Sequence, residues 1–208
     1  MVGKLLVYEG IDGCGKDTQI SLMNDKLKSL GYDTIVLSNV SDSPIGKSIR
    51  EVLSNKEYYI SSMQMACLFL SELFLVDKQI KEHLNNGKTV IMSRWFYSTL
   101  AYAGDKLNDY IAIKDISDRL ICKPDYLVYL DIDPEIAMER ITKRDDTTDK
   151  KLELYENTSR LTRIHNKYEL VLDMVSFEIK YTTIIKVDAS KTIEEVFTDI
   201  YEQLNKKE

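Results

Sequence analysis

The sequence is poor in the residues that build disulfide-rich or metal-binding scaffolds. It has only three cysteines and two histidines in 208 residues. The cysteines, Cys14, Cys67 and Cys122, are an odd number without metal-ligand spacing, which favours reduced thiols over a disulfide framework or a zinc site. Two histidines leave little for metal or catalytic-triad chemistry.

Long apolar runs and an excess of positive charge are also lacking. No segment approaches the roughly 18 apolar residues that a membrane span needs, and Met1–Tyr8 contains no basic-then-apolar secretory segment. We therefore expect a cytoplasmic protein without a membrane partner. The net charge of −6 disfavours a surface for nucleic acid polymers, although it permits a small phosphorylated ligand in a locally basic pocket.

No linker rich in Gly, Pro or Ser divides the chain, so residues 1–208 are predicted to form one domain. Short β-rich runs alternate with helical stretches, which predicts an α/β fold with a five-stranded parallel sheet and helices on both faces. The predicted strands are Leu5–Glu9, Thr34–Ser38, Thr89–Ser93, Tyr126–Asp131 and Thr183–Val187.

Local signals mark several helix boundaries. Gly31 supplies a stop after a helical pattern that begins near Lys16, and the dipeptide at 133–134 resembles an N-cap followed by proline at the first helical position. Thr192 and Glu195 form a capping box before the last helix. The apolar stretch Met63–Leu84 predicts a long helix that packs in the core or in a dimer.

The stretch YEGIDGCGKDTQ matches a phosphate-binding loop in all but one residue. Gly10 to Lys16 fill the pattern G-x-x-x-x-G-K, but Asp17 stands where a Ser or Thr hydroxyl is expected. A predicted strand precedes the glycines and a predicted helix follows them. Backbone N–H groups at such a loop surround phosphate oxygens, and the lysine reaches the β- and γ-phosphates. The loop therefore predicts nucleotide binding.

Longer motifs resemble the thymidylate kinase family over nearly the whole chain. The loop is followed by SPIGKSIREVL (43–53), CLFL (67–70), the signature-like SRWFYSTLAYAG (93–104), KPDYLVYLDIDPEIAMERITKR (123–144) and DKKLE (149–153). The resemblance implies a P-loop NTPase fold with a short LID at about 143–153, and a homodimer. It also implies transfer of the γ-phosphoryl group of ATP, with Mg²⁺, to the 5′-phosphate of dTMP.

Several site residues follow from the same resemblance. The implied catalytic residues are Lys16, the acceptor-phosphate clamp Arg94, and Arg144 of the LID, whose charge Lys143, Lys150 and Lys151 could supplement. Arg140 is implied to lie over the adenine ring, bordered by the loop at 188–190. The implied ATP-binding residues are Gly10, Asp12, Gly13, Cys14, Gly15, Lys16, Asp17, Thr18 and Arg140. The implied acceptor-binding residues are Asp12, Phe69, Leu73, Arg94, Ser98, Tyr102 and Ala103.

The departures from the family pattern fall at recognition positions. Leu73 stands where the family has a base-binding arginine, and Ala103 replaces a polar residue that reads the same edge. The loop after the second strand carries no phosphate-binding arginine. The base that the acceptor carries is therefore not determined by the sequence. The first candidate is dTMP, followed by dUMP, a modified pyrimidine deoxynucleotide or a broad range of deoxynucleoside monophosphates.

Asp17 has a counterpart elsewhere in the sequence. The family places a hydroxyl after the loop lysine and an aspartate before the signature arginine, whereas this chain has Asp17 and Ser93 there. We interpret them as an exchanged metal-binding pair, with independent loss of both groups as the alternative. Two other functions stay open, a nucleoside kinase and a nucleotide-binding protein with impaired catalysis.

Overall fold

The computed structural model describes residues 3–55, 58–120, 122–148, 155–178 and 182–206. Its five strands form one sheet: β1 (Leu5–Glu9), β2 (Thr34–Ser38), β3 (Thr89–Ser93), β4 (Tyr126–Asp131) and β5 (Thr183–Asp188). All neighbouring strands run parallel, in the order β2-β3-β1-β4-β5. The predicted parallel sheet is confirmed, and each predicted strand agrees with the observed one to within one residue.

The described residues contain eight helices, which pack around the sheet. They are α1 (Lys16–Ser29), α2 (Pro44–Ser54), α3 (Ser62–Asn85), α4 (Phe96–Ala103), α5 (Leu107–Ser117), α6 (Pro134–Thr148), α7 (Thr158–Glu178) and α8 (Ile193–Asn205). The predicted long helix at 63–84 corresponds to α3. Within the described ranges, none of these helices is long and apolar enough to cross a membrane.

The central strands are apolar along their whole length because they are covered on both faces. Val7 of β1 lies between Met92 of β3 and Leu127 of β4, and all three side chains are fully buried. Strands of a parallel sheet covered by helices bury alternate side chains on opposite faces, so a continuous apolar run is required. Burial of these runs supplies the main hydrophobic stabilisation of the sheet.

Side-chain caps fix two helix starts at the predicted places, and a glycine follows one predicted helix end. Asp133 accepts a hydrogen bond from the backbone N–H of Glu135 at 2.7 Å, next to Pro134 at the start of α6. Thr192 and Glu195 form the predicted capping box of α8. Gly31 adopts a φ of +85° just after α1, as its stop signal predicts.

The sheet order brings the functional loops together. β1 lies at the centre, with β3 on one side and β4 on the other, so the chain leaves the carboxyl ends of these strands at one edge. Ligands of open α/β sheets bind at this edge, where neighbouring connections diverge. The loop after β1 leads into α1, and the residues after β3 lead into α4. The LID expected at 143–153 falls partly on residues 149–154, which lie outside the described residues.

Candidate active site

The loop between β1 and α1 is shaped by its glycines. A Cβ atom on Gly13 would lie 2.4 Å from the carbonyl oxygen of Ala137, and one on Gly10 would lie 2.7 Å from that of Leu130. Gly15 precedes α1 with a φ of +93° and offers no side chain to cap the helix. The first N–H groups of α1 are therefore left without a side-chain cap at the loop, an arrangement that favours a bound anion.

Lys16 folds back over this loop. Its Nζ atom donates hydrogen bonds of 2.9 Å to the carbonyl oxygens of Gly10 and Ile11. The Cys14 thiol lies 3.5 Å from the same ammonium group and is itself buried. Lys16 thus places a positive charge at the loop, while Cys14 can contribute to a ligand site only through its backbone.

Arg94 joins the loop to the signature after β3. Its Nη1 atom donates to the carbonyl oxygen of Gly10 at 3.1 Å, and its Nη2 atom donates to Asp12 at 2.5 Å and to the Tyr102 hydroxyl at 3.0 Å. The guanidinium also stacks on the Tyr102 ring, at 4.9 Å from its centroid. The Tyr102 hydroxyl donates to the second oxygen of Asp12 at 2.9 Å. This network fixes the position of a partly buried cation.

The charge on Asp12 follows from its neighbours. Burial by itself raises the pKa of this carboxyl group, but the positive charges of Arg94 and Lys16 outweigh it, with help from the Tyr102 hydrogen bond. The pKa of Asp12 is therefore held below its usual range. Asp12 stays ionised, and its negative charge offsets part of the repulsion between Arg94 and Lys16.

A cleft of about 390 Å³ opens beside Arg94. Phe69, Leu53 and Val40 give it an apolar wall, while Arg94 and Arg50 supply positive charge. The remaining lining residues are Asp12, Asp17, Asn39, Ser98, Thr99, Tyr102 and Tyr155. An aromatic ring beside an apolar wall suits a flat base, and arginine suits a phosphate. We call this space the acceptor cleft.

A second cleft of about 460 Å³ lies over the glycine loop. It is lined by Asp12, Gly13, Gly15, Lys16, Asp17, Thr18, Asn39, Ser93, Arg94, Arg140, Ile141 and Arg144. We call it the phosphate cleft. Four residues border both clefts, Asp12, Asp17, Asn39 and Arg94. Two ligands bound in the two clefts would therefore meet at Arg94.

Comparison with known proteins identifies this arrangement. The family described as Thymidylate kinase matches residues 8–200. A probable thymidylate kinase from Archaeoglobus fulgidus is 32% identical over 202 residues, covering 94% of this chain and 92% of that protein. The chain belongs to the thymidylate kinase family. A thymidylate kinase from Legionella pneumophila (strain Corby) is 30% identical, covering 96% of this chain and 93% of that protein.

A solved structure supports the same assignment. Thymidylate kinase from Candida albicans superposes with a TM-score of 0.78 at 27% sequence identity, covering 99% of this chain and 92% of that one. That enzyme is described as having broad substrate specificity and a novel structural element. The P-loop NTPase fold expected from the sequence is thereby confirmed.

Many, but not all, of the residues implied by the family resemblance line the two clefts. Phe69, Ser98 and Tyr102 line the acceptor cleft, and Thr18 lines the phosphate cleft. Arg140 donates to the carbonyl oxygen of Ala189 at 3.0 Å, so it lies against the loop at 188–190 as expected. Their roles toward a nucleotide stay predictions.

The LID residues are only partly described. Arg144 lines the phosphate cleft and forms a 2.8 Å ion pair with Glu156, whose side chain is almost fully buried. Lys143 lies on a different, shallow depression between α6 and α7. Lys150 and Lys151 lie outside the described residues. Of the predicted LID cations that are described, Arg144 is therefore the one that lines the phosphate cleft.

Leu73 and Ala103 occupy core positions in this family member. Both side chains are fully buried, and neither lines the acceptor cleft. Among the polar residues of the cleft wall, Asn39 and Thr99 are buried, and their side-chain oxygens have no hydrogen-bond partner within the described part of the chain. Sequence reasoning missed both. The signal for Asn39 was its place directly after a predicted strand.

Asp17 and Ser93 both line the phosphate cleft, Asp17 from the first turn of α1 and Ser93 from the end of β3. One carboxylate and one hydroxyl are oxygen donors of the kind that Mg²⁺ accepts. The donor set therefore fits the metal.

A second group, Asp131, His165 and Glu169, also has its ligand atoms within 4.8 Å of one another. There Lys186 contacts both carboxylates, at 3.2 and 2.8 Å, which makes it an ion-pair cluster.

Two further residues of the site had no family role in the sequence reasoning. Glu9 is the last residue of β1 and is fully buried, and Tyr168 reaches the site from α7. Both contact the residues that surround Arg94. The signal for Glu9 was a carboxylate at the end of an otherwise apolar strand. Tyr168 had no local signal.

Proposed function

We propose that this chain transfers the γ-phosphoryl group of ATP to the 5′-phosphate of dTMP, giving ADP and dTDP. The observation that carries the proposal is the junction of the two clefts at Arg94 and Asp12. Membership of the thymidylate kinase family supports it, as do the thymidylate kinase relatives. They favour this activity over a nucleoside kinase or a non-catalytic binding protein.

The reaction requires positioning and positive charge rather than a covalent nucleophile. An oxygen of the acceptor phosphate forms a bond to the γ-phosphorus of ATP while the bond to the bridging oxygen of ADP breaks. The attacking oxygen is already anionic, so no general base is needed at neutral pH. Catalysis then consists of holding two polyanions in line and neutralising their charge.

Each cation of the site has a place in this scheme. Lys16 contacts the β- and γ-phosphates from the glycine loop, and Arg94 binds the acceptor phosphate with its planar fork. Arg144 adds charge at the migrating group from the phosphate cleft. Asp17 and Ser93 would hold Mg²⁺, which when bound supplies charge neutralisation at the phosphates of ATP.

The acceptor nucleoside would occupy the cleft beside Phe69. Its base stacks on the Phe69 ring, while the Tyr102 ring lies under C2′ and disfavours a ribose hydroxyl. Asp12 lies near the sugar. These assignments rest on the family resemblance and on the position of the three side chains in the cleft wall.

Incubation of the pure full-length chain with MgATP and single acceptors tests this function. The panel is dTMP, dUMP, dCMP, dAMP, dGMP and thymidine, with products separated by anion-exchange chromatography. We expect dTDP and ADP in equal amounts from dTMP and no product from thymidine. Lys16→Met should abolish turnover, whereas Lys28→Met, at the other end of α1, should not. Phosphorylation of thymidine, or no turnover of dTMP, would refute the proposal.

We also infer a homodimer, as the family resemblance implies. Leu75 on α3 and Leu107 and Ile111 on the adjacent α5 expose apolar surface, which supports a protein contact there. Light scattering after size-exclusion chromatography should give about twice the 24.1 kDa chain mass. A mass equal to one chain at micromolar concentration would contradict the dimer.

A further inference from the structure

Arg94 has an unusual backbone. Its φ is +68°, and among the described residues it is the one non-glycine residue with a positive φ. This left-handed conformation is strained for an L-residue. Such strain persists only where surrounding bonds enforce it. The N–H of Arg94 donates to the carbonyl oxygen of Tyr8 at 2.9 Å, and the next N–H, that of Trp95, donates to the Glu9 carboxylate at 2.7 Å.

The Glu9 side chain also caps the N-terminus of α4, the helix that follows Arg94. Trp95 occupies the N-cap position of α4 and provides no side-chain cap. One oxygen of Glu9 accepts from the N–H of Trp95 and, at 3.3 Å, from that of Ser98. A carboxylate from β1 thus replaces the missing cap, in a position that the helix dipole favours.

The second oxygen of Glu9 binds the two hydroxyl groups that contact the Arg94 guanidinium. It accepts from the Ser98 hydroxyl at 2.5 Å and from the Tyr168 hydroxyl at 2.9 Å. A carboxylate only accepts hydrogen bonds, so at least one of the two hydroxyl protons points toward Glu9. The two hydroxyl oxygens also lie 2.9 Å apart, a contact in which either of them can be the donor. Each oxygen still has a lone pair for Nη1 of Arg94, which donates to Tyr168 at 3.2 Å and to Ser98 at 3.4 Å.

We propose that Glu9 and Tyr168 are positioning residues that fix the direction of the Arg94 guanidinium for an acceptor phosphate. Glu9 sets the backbone through the start of α4 and sets the side chain through two oriented hydroxyls. Tyr168 extends from α7 and forms hydrogen bonds with both Glu9 and Arg94, so it links the two groups. The consequence for the reaction rests on the proposed function, whereas the ordering of Arg94 does not.

Burial is the largest influence on the charge of Glu9. It raises the pKa of this carboxyl group above the ordinary value, although Arg94, Ser98, the Trp95 N–H and Tyr168 act to lower it. Above that raised pKa, Glu9 is a carboxylate and only accepts hydrogen bonds. Replacement of the carboxylate by an amide changes the direction of the bonds. In Glu9→Gln the side-chain NH₂ group must face either backbone N–H groups or the two hydroxyls. In the second case the hydroxyls accept from the amide and can turn their protons toward Arg94.

Tyr168→Phe is the mildest test, and the chain offers a matched control. Tyr129 on β4 packs against Tyr168 with ring centroids 5.3 Å apart, and its buried hydroxyl has no hydrogen-bond partner within the described ranges. Tyr129→Phe therefore removes a buried hydroxyl from the same aromatic cluster without touching Arg94. Loss of a hydrogen bond to a charged group corresponds to about a tenfold change in an equilibrium constant.

The first measurement is independent of turnover. Side-chain ¹⁵N relaxation of the Arg94 Nε–Hε group should show high order in the wild type and in Tyr129→Phe, and lower order in Tyr168→Phe and Glu9→Gln. Equal order in Tyr168→Phe and Tyr129→Phe would overturn the proposal. If Glu9→Gln does not fold, the comparison of Tyr168→Phe with Tyr129→Phe tests the proposal alone, because each variant removes a single hydroxyl.

The second measurement connects positioning to the reaction. The KM for dTMP should rise about tenfold in Tyr168→Phe, while the dissociation constant for ATP stays within twofold of the wild type. Equal changes for both ligands, or no change, would overturn the role of Tyr168 in the reaction. A wild type that orders Arg94 but does not phosphorylate dTMP would refute the proposed function while the ordering of Arg94 by Glu9 and Tyr168 stands.

Discussion

Individual side chains of the site are held by partners from several distant elements. Arg94 receives its contacts from the glycine loop, from α4 and from Tyr168 of α7. The sequence predicted Arg94 through the signature around it, but not Tyr168, since a contact between α4 and α7 leaves no trace in local spacing. Such long-range contacts determine the orientation of a side chain, whereas a local motif indicates only which residue type occupies a position.

Replacement of Arg94 by alanine should abolish phosphorylation of every acceptor. The loss of a charge-assisted contact in a desolvated site costs about 3 kcal/mol or more in kcat/KM. Binding of ATP, measured by calorimetry, should be largely retained because Lys16 and the glycine loop remain. Arg119→Ala changes an exposed arginine and serves as the control. Substantial turnover by Arg94→Ala would remove this residue from the mechanism.

Glu9 should make the folded protein less stable as the pH rises. Burial raises its pKa above the ordinary value of 4.5, so the folded state retains this proton more readily than the unfolded state. Between the ordinary pKa and the raised pKa, the free energy of unfolding contributed by Glu9 therefore falls with increasing pH.

Urea denaturation of the wild type and of Glu9→Gln from pH 4 upward measures this effect. Because glutamine does not titrate, the stability of the wild type relative to Glu9→Gln should decline across that window and then level off. A difference that stays constant, or that grows with pH, would show that the pKa of Glu9 is not raised in the folded protein.

At the scale of elements, the strands were predictable and the shape of the loop was only partly so. The apolar runs at 5–9 and 126–131 matched β1 and β4 at both ends, because parallel strands covered on both faces need continuous apolar sequence. The glycine pattern predicted where the loop lies. It did not reveal that Gly13 faces the backbone of α6, since that contact depends on how α6 packs.

This contact predicts different costs for two glycine substitutions in one loop. Both Gly13 and Gly15 have positive φ, so an alanine at either position is strained by roughly 1–2 kcal/mol. At Gly13 a Cβ would in addition approach the carbonyl oxygen of Ala137 to 2.4 Å, whereas at Gly15 it would meet open space. Gly13→Ala should therefore lower the free energy of unfolding by clearly more than Gly15→Ala does. Equal losses in denaturant titrations would contradict the close approach.

At the scale of the whole molecule, the sheet order brings two parts of the sequence to one ligand site. β1 and β3 are neighbours, so the loop after β1 and the signature after β3 line the same phosphate cleft. Asp17 and Ser93 each depart from the family pattern when considered separately. Their common position in the cleft supports one explanation for both departures, in which a carboxylate and a hydroxyl are retained at exchanged places.

If the exchange is functional, each single reversion should reduce activity. Asp17→Thr leaves two hydroxyls and no carboxylate from this pair, so Mg²⁺ is held weakly. Ser93→Asp places two carboxylates beside the phosphates, which raises the pKa of one of them or weakens ATP binding. The double change Asp17→Thr with Ser93→Asp restores one hydroxyl and one carboxylate, and it should recover much of the lost kcat/KM.

A double-mutant cycle in kcat/KM, repeated over a range of Mg²⁺ concentrations, measures this recovery as a coupling energy. Residues that act on a shared ligand couple by about 0.5–3 kcal/mol, whereas independent sites do not. The loss in Asp17→Thr should also be relieved in part by high Mg²⁺, because weaker binding is offset by concentration. Additive losses that do not respond to Mg²⁺ would indicate two independent departures, and Asp17 would then have no part in holding the metal.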